Sequence, residues 1–201
     1  MLIYYVKTFF ENFDENYFSI PKMRAHLPKL ARIYEPMNST ERKKFVKTED
    51  FKSFFQNKGV CAGCGGACCK ESVCEYTVND FEDFSFTKLR DFVDKGKSMV
   101  LLREDLGIIS IIARPKNSPV VGSEKVLSGD CVSNGPTGCD YSYDDRPTGG
   151  ALVIPGMPYH SGCRDILDTE YHYKQWLIKT GQKPLSDLAL HYIEADDEQT
   201  R

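Results

Sequence analysis

The stretch that most constrains this chain is Cys61-Ala-Gly-Cys64-Gly-Gly-Ala-Cys68-Cys69, followed five residues later by Cys74. Five of the eight cysteines fall within these fourteen positions, and three of the residues between Cys61 and Cys69 are glycine. Thiolates set this closely on a backbone that turns sharply can converge on one point, as a soft metal ion or an iron–sulfur cluster requires. Glycine admits positive φ angles and leaves backbone N–H groups free to face the sulfurs. A helix core or a strand would have no use for such a composition. The stretch reads as a metal-binding knuckle.

Eight cysteines could also form four disulfides. The N-terminus weighs against that. Met1 to Lys7 is a short apolar patch without a basic leader or a small-residue cleavage site, and Glu11, Asp14 and Glu15 follow at once. The expected compartment is the cytoplasm, where disulfides are rare and clustered cysteines more often bind metal. The longest apolar runs, Met99 to Leu102 and Ile108 to Ala113, fall far short of the roughly 20 residues of a membrane span, so no membrane partner is expected. A formal charge of −3, with acids and bases interspersed, gives no electrostatic footprint for nucleic acid. The acidic run Glu194 to Glu198 reads as a solvated terminus.

Apolar spacing predicts helices on both sides of the knuckle. Lys22 to Tyr34 carries Met23, Leu27, Leu30, Ala31 and Tyr34 at helical steps, interrupted by Pro28. Ser39-Thr40-Glu41 opens a second helix through Phe45, Val46, Phe51, Phe54 and Phe55, with Lys58-Gly59 as its stop. After the knuckle, Thr77-Val-Asn-Asp80 predicts the start of a helix burying Phe81, Phe84, Leu89, Phe92 and Val93 and closing at Lys95-Gly96. Met99 to Arg103 and Ile108 to Arg114 predict a β-hairpin, ended by Pro115. A loop runs to Gly129, and Ala151 to Pro155 is a further short strand. A helix from Asp168 is marked by Tyr171, Trp176, Leu177 and Ile178, and a last one after Pro184 by Leu185, Leu188, Ala189 and Tyr192. The expected fold class is α+β: a small irregular cysteine-rich metal-binding core with a short β-hairpin or sheet, flanked by N- and C-terminal helices. Residues 1–57 form a helical N-terminal extension packed on the core. Residues 58–201 form the cysteine-cluster domain with its C-terminal helices.

The second cysteine group is Cys131 and Cys139, with Gly135, Pro136 and Gly138 between them, and Cys163 follows further on. Arg146-Pro147-Thr148-Gly149-Gly150 lies between Cys139 and Cys163. The combined spacings resemble those of the YkgJ-type cysteine-cluster family, which is described by a capacity to chelate zinc or iron rather than by a reaction. Its pattern matches Cys61, Cys64, Cys68 and Cys69, then Cys131, Gly138-Cys139, Arg146-Pro147 and, more loosely, Cys163, over about residues 58 to 165. The chain departs from many members in having Thr148, Gly149, Gly150 and Ala151 where a cysteine would closely follow the Arg-Pro. A lysine methylase that acts on flagellin carries a similar cysteine signature, but no nucleotide-binding glycine motif accompanies it here.

The expected metal ligands are Cys61, Cys64, Cys68, Cys69, Cys74, Cys131, Cys139 and Cys163, and the expected cofactor is zinc or an iron–sulfur cluster, both suited to all-sulfur ligation. One principal site drawing on both groups would tie the two halves of the domain together. For the vicinal pair Cys68-Cys69, diverging side chains predict either one ligand and one packed thiol, or two ligands facing different metals. Arg146 is expected to clamp a loop through Asp144 or Asp145. Tyr141 and Tyr143 are expected to shield the site. His160 is expected to play no ligand role, and His26, His172 and His191 to be surface or packing residues. No nucleophile elbow, phosphate-cradling loop or two-histidine zinc helix occurs. The leading expectation is a cytoplasmic metal-binding protein. Its alternatives are a redox or group-transfer enzyme at an iron–sulfur centre, and a structural zinc module docking on a protein partner.

Overall fold

The short apolar runs in Ser98–Arg103 (β1) and Ile108–Ala113 (β2) pair as an antiparallel hairpin, with Met99 opposite Ile112 and Leu101 opposite Ser110. The computed structural model describes residues 19–48, 51, 63–136, 138–141, 146–154 and 163–199. Met99, Val100 and Leu101 are all fully buried although neighbours on a strand face opposite sides, so both faces of the hairpin are covered. A third strand, Val121–Ser123 (β3), adds in parallel beside β1 and gives the order β2-β1-β3. It lies within the stretch expected to be a plain loop.

The outer edge of β2 is closed by other parts of the chain. Ala113 donates its N–H to the Cys74 carbonyl at 2.8 Å and Tyr76 donates to the Ile111 carbonyl at 3.1 Å, so Cys74 to Tyr76 runs along this edge. The Gln182 side chain accepts from Ile109 N at 2.5 Å and donates to its carbonyl at 3.2 Å. An open edge is thereby satisfied, and Cys74 is fixed on the sheet.

Pro28 splits the first helical stretch into Ile20–His26 (α1) and Pro28–Tyr34 (α2), proline being accepted in a first turn but not in a helix interior. Ser39–Phe45 (α3) follows a full capping box, with Asn38 accepting from Glu41 N at 3.0 Å and Glu41 accepting from Asn38 N at 2.9 Å. Phe54, Phe55 and the expected stop at Lys58-Gly59 lie outside the described residues. Met23, Leu30, Ala31, Tyr34, Val46 and Phe51 join the main core, and Ser19 N and Lys22 Nζ both bond to the carbonyls of residues 166 and 167, each at 3.2 Å. The α+β class holds, with this mixed sheet and flanking helices.

Three expectations about the later elements need correction. Thr77 starts only a 3-10 turn, Val78–Asp80, and the helix proper is Phe86–Val93 (α5), after the short Ala67–Glu71 (α4) of the knuckle. Asp80 spends its carboxylate on Thr77 and Thr148 instead of carrying the helix on, and Phe81 is buried from an extended segment. Ala151 closes a helical turn, Thr148–Ala151 (α6), and the strand beyond it is only Val153–Ile154 (β6), paired with Arg164–Asp165 (β7). Thr169–Thr180 (α7) is capped by Asp168, which accepts from Tyr171 N at 3.0 Å, and ends on left-handed Gly181. It has the expected extent, and it buries His172, Tyr173 and Trp176 while leaving Leu177 47% and Ile178 68% exposed. The last helix, Lys183–Gln199 (α8), starts just before Pro184 rather than after it, and carries the acidic run Glu194 to Glu198 with its carboxylates exposed, as expected of a solvated terminus. No described helix is long and apolar enough to cross a membrane.

Candidate metal centre

The knuckle turns because two successive glycines take left-handed angles, Gly65 at φ 64° and Gly66 at φ 74°. Gly66 is demanded a second way. A Cβ there would lie 2.4 Å from Asn134 Oδ1 and 2.7 Å from Gly138 Cα, so only glycine lets the knuckle touch the second cysteine group. That group is a minimal hairpin, Asn134–Gly135 (β4) against Gly138–Cys139 (β5). The two groups are also joined directly, since Cys131 N donates to the Cys69 carbonyl at 2.7 Å.

The third wall comes from the Arg-Pro-Thr-Gly-Gly stretch. Gly149 N donates to the Glu75 carbonyl at 2.9 Å, and a Cβ on Gly149 would sit 2.8 Å from that oxygen. A Cβ on Gly150 would sit 2.7 Å from Cys74 Sγ. The glycine pair thus serves close approach, not turning. Asp80 locks the stretch in place: it accepts from Thr148 Oγ1 at 2.8 Å, Thr148 N at 3.2 Å and Thr77 N at 2.7 Å.

As a result Cys64, Cys68, Cys69, Cys74, Cys131, Cys139 and Cys163 all line one cavity of about 70 Å³. Cys61 and His160 lie outside the described residues, as do Asp144, Asp145 and Tyr143. Cys68 Sγ and Cys69 Sγ stand 4.0 Å apart, which corrects the expected divergence of the vicinal pair. The helical turn brings them to nearly the ~3.8 Å edge of a tetrahedron with metal–sulfur bonds of about 2.3 Å. Among the described residues no three His, Cys, Asp or Glu side chains stand closely enough around one point to hold a metal ion as they are placed.

The surroundings favour negative sulfur at Cys68 and Cys139 and neutral thiols at Cys69, Cys74 and Cys131. Ala67 N donates to Cys64 Sγ at 3.2 Å, and the backbone N–H groups of Ser133 and Tyr141 face Cys131 and Cys139 in the same way. Cys69 lies between Cys68 and Cys139 in hydrogen-bonding contact with both thiols. That contact holds Cys68 and Cys139 down to about 6 each, helped by backbone N–H groups and the Arg146 charge. Cys69 itself is pushed well up by the same two partners and then by burial. Burial also pushes up Cys74 and Cys131.

Arg146 lies on the cavity wall with its Nε buried and without a hydrogen-bond partner among the described residues. Its expected clamp partners, Asp144 and Asp145, fall outside those residues, and the described surroundings of its charge are sulfur. Tyr141 also lines the cavity, its hydroxyl buried near Ser133 and Tyr76, a position from which it can shield the site.

Sequence reasoning missed the roles of Asp80 and Glu75, and it left His172 as either a surface or a packing residue. His172 is fully buried on α7 with its Nε2 3.3 Å from Glu75 Oε2, and burial lowers it to about 3, so it is neutral. Its helical position gave no sign of this. The Gly149-Gly150 pair after Pro147 was the one available signal for the close approach to Cys74 and Glu75. Comparison with protein-family models, with curated proteins and with solved structures found no match.

Proposed function

We propose that this protein is a cytoplasmic metal-binding protein whose clustered thiolates hold zinc or an iron–sulfur centre. One observation carries the reading: seven cysteines from segments far apart in sequence line a single cavity. The donor set fits either centre, since both accept all-sulfur ligation. Cys68 and Cys69 already approach a metal-bound spacing, and the other sulfurs would draw inward across the small cavity on loading. N–H groups aimed at Cys64, Cys131 and Cys139 would tune the bound centre, and Arg146 would offset part of the negative charge of several thiolates. Cys61, three residues before Cys64, is counted with the set on its spacing. Membership of the cysteine-cluster family is part of the same proposal and rests on the motif spacing.

Elemental analysis and a visible spectrum of protein purified without oxygen test this. Zinc in a fixed ratio with no colour, or iron with a broad band near ~400 nm that bleaches on reduction, is the expected result. Protein containing neither metal, with every thiol titratable in the folded state, would sink it. Serine at Cys61, Cys64 or Cys139 is expected to lower metal content, whereas His160→Ala is expected to leave it unchanged.

A further inference from the structure

A structural thiolate site is a closed shell, whereas a site that reacts or exchanges ligands keeps one side accessible. The cysteine cavity is not closed on all sides. A cleft of about 410 Å³ lies against it and shares Cys68, Cys69, Cys74, Val153 and Cys163 as a common wall. That volume is in the range of small-molecule sites, which run from about 300 to 1,000 Å³. The charged residues lining the cleft are Glu71 and Glu75, and among the described residues no Lys, Arg or His lines it. Arg146 lines the cavity but not the cleft. Glu75 is fixed in the wall: its carboxylate accepts from the Tyr173 hydroxyl, which in turn accepts from Arg103 Nη1 at 2.8 Å.

We propose that this cleft admits a small ligand to the sulfur-bound metal centre, and that the ligand is an uncharged or cationic nitrogen or sulfur donor. The inference rests on the metal-binding reading above. Shared thiols put any metal they hold within reach of the cleft, and the two carboxylates at its wall repel anions on their way in.

Cobalt(II) loaded into the metal-free full chain gives visible bands that respond to a change of ligand, and imidazole and azide are the probes. Imidazole is expected to shift the bands at a concentration roughly tenfold lower than azide, the ratio that carboxylates a few ångströms away impose on a negative probe. Ser72, exposed in the cleft lining, offers a blocking variant: Ser72→Trp is expected to weaken imidazole binding while cobalt uptake is kept. Glu71→Lys, also at an exposed lining position, is expected to narrow or reverse the preference against azide. Bands that imidazole leaves unmoved, or azide acting as well as imidazole on the unmodified chain, would overturn the cleft proposal alone. A chain that takes up no cobalt would overturn the metal-binding reading and this inference with it.

Discussion

Asp80 is fully buried, yet its carboxylate is what holds Thr148, and through it Pro147 and Gly149, against the Cys74 strand edge. Replacing it by Asn leaves one oxygen to accept from Thr77 N and Thr148 N but turns an NH2 group toward Thr148 Oγ1, which now donates to the second oxygen, and such a loss costs about 1–3 kcal/mol. Burial raises the carboxyl from 3.8 to about 6, against the opposing hydrogen bonds. A folded value above the unfolded one means stability present below pH ~4 that is lost as pH rises through about 6. Urea unfolding of the native chain and Asp80→Asn should therefore diverge with pH. The native chain loses about 2 kcal/mol relative to the variant between pH 4 and 6.5, and parallel curves would show that Asp80 is not so shifted. Gly150 sets the second test at this scale. Alanine there must push Cys74 Sγ aside, so Gly150→Ala is expected to reduce metal content while far-ultraviolet circular dichroism is retained. These contacts were not legible beforehand: a glycine pair announces that something comes near but not what, and Asp80 was read as part of a helix start because its partner lies 68 residues away.

Among the elements, the β1–β2 hairpin was the most legible, because two short apolar runs and the Glu104 to Gly107 turn between them are local signals. α7 was legible in extent but not in orientation. Its apolar residues surround the helix, and which of them face the core depends on the aromatic nest that receives it. Trp176 packs edge-on to Phe81 at 5.6 Å between ring centroids and donates its Nε1–H to the Tyr76 carbonyl at 3.1 Å. Phe92 completes the nest, 4.8 Å from Phe81 and 5.0 Å from Tyr76. Trp176→Ala is therefore expected to cost about 3–5 kcal/mol, whereas Ile178→Lys, on the exposed side, stays within about 0.5 kcal/mol. Chemical denaturation of the two variants checks both, and equal losses would mean that the helix is rotated from the orientation described. β3 escaped notice because a three-residue strand in a Pro- and Gly-bearing stretch has too few positions to show a period.

At the scale of the whole molecule, the cysteine cavity is where the knuckle, the small hairpin, the sheet edge and the Arg146 turn all meet. Anything bound there only in the folded state stabilises all four together, by about 4 kcal/mol when free metal exceeds its dissociation constant a thousandfold. Thermal unfolding of metal-free and reloaded protein should show a higher midpoint for the loaded form, with zinc or anaerobically reconstituted iron as the ligand. Coincident midpoints would separate the cavity from stability. The convergence of the two cysteine groups was legible as a pattern, whereas the contacts that achieve it, Gly66 against Gly138 and Cys131 N on the Cys69 carbonyl, belong to tertiary structure alone.

The bond between Cys131 N and the Cys69 carbonyl also bears on how the chain is made. The knuckle leaves the ribosome first, and Cys163 emerges about a hundred residues after Cys64. At about 5–20 residues per second the early sulfurs wait on the order of ten seconds for their late companions. Over that interval they are exposed to stray copper and to peroxide, so the yield of correctly matured protein should depend on translation speed and on how reducing the cell is during synthesis.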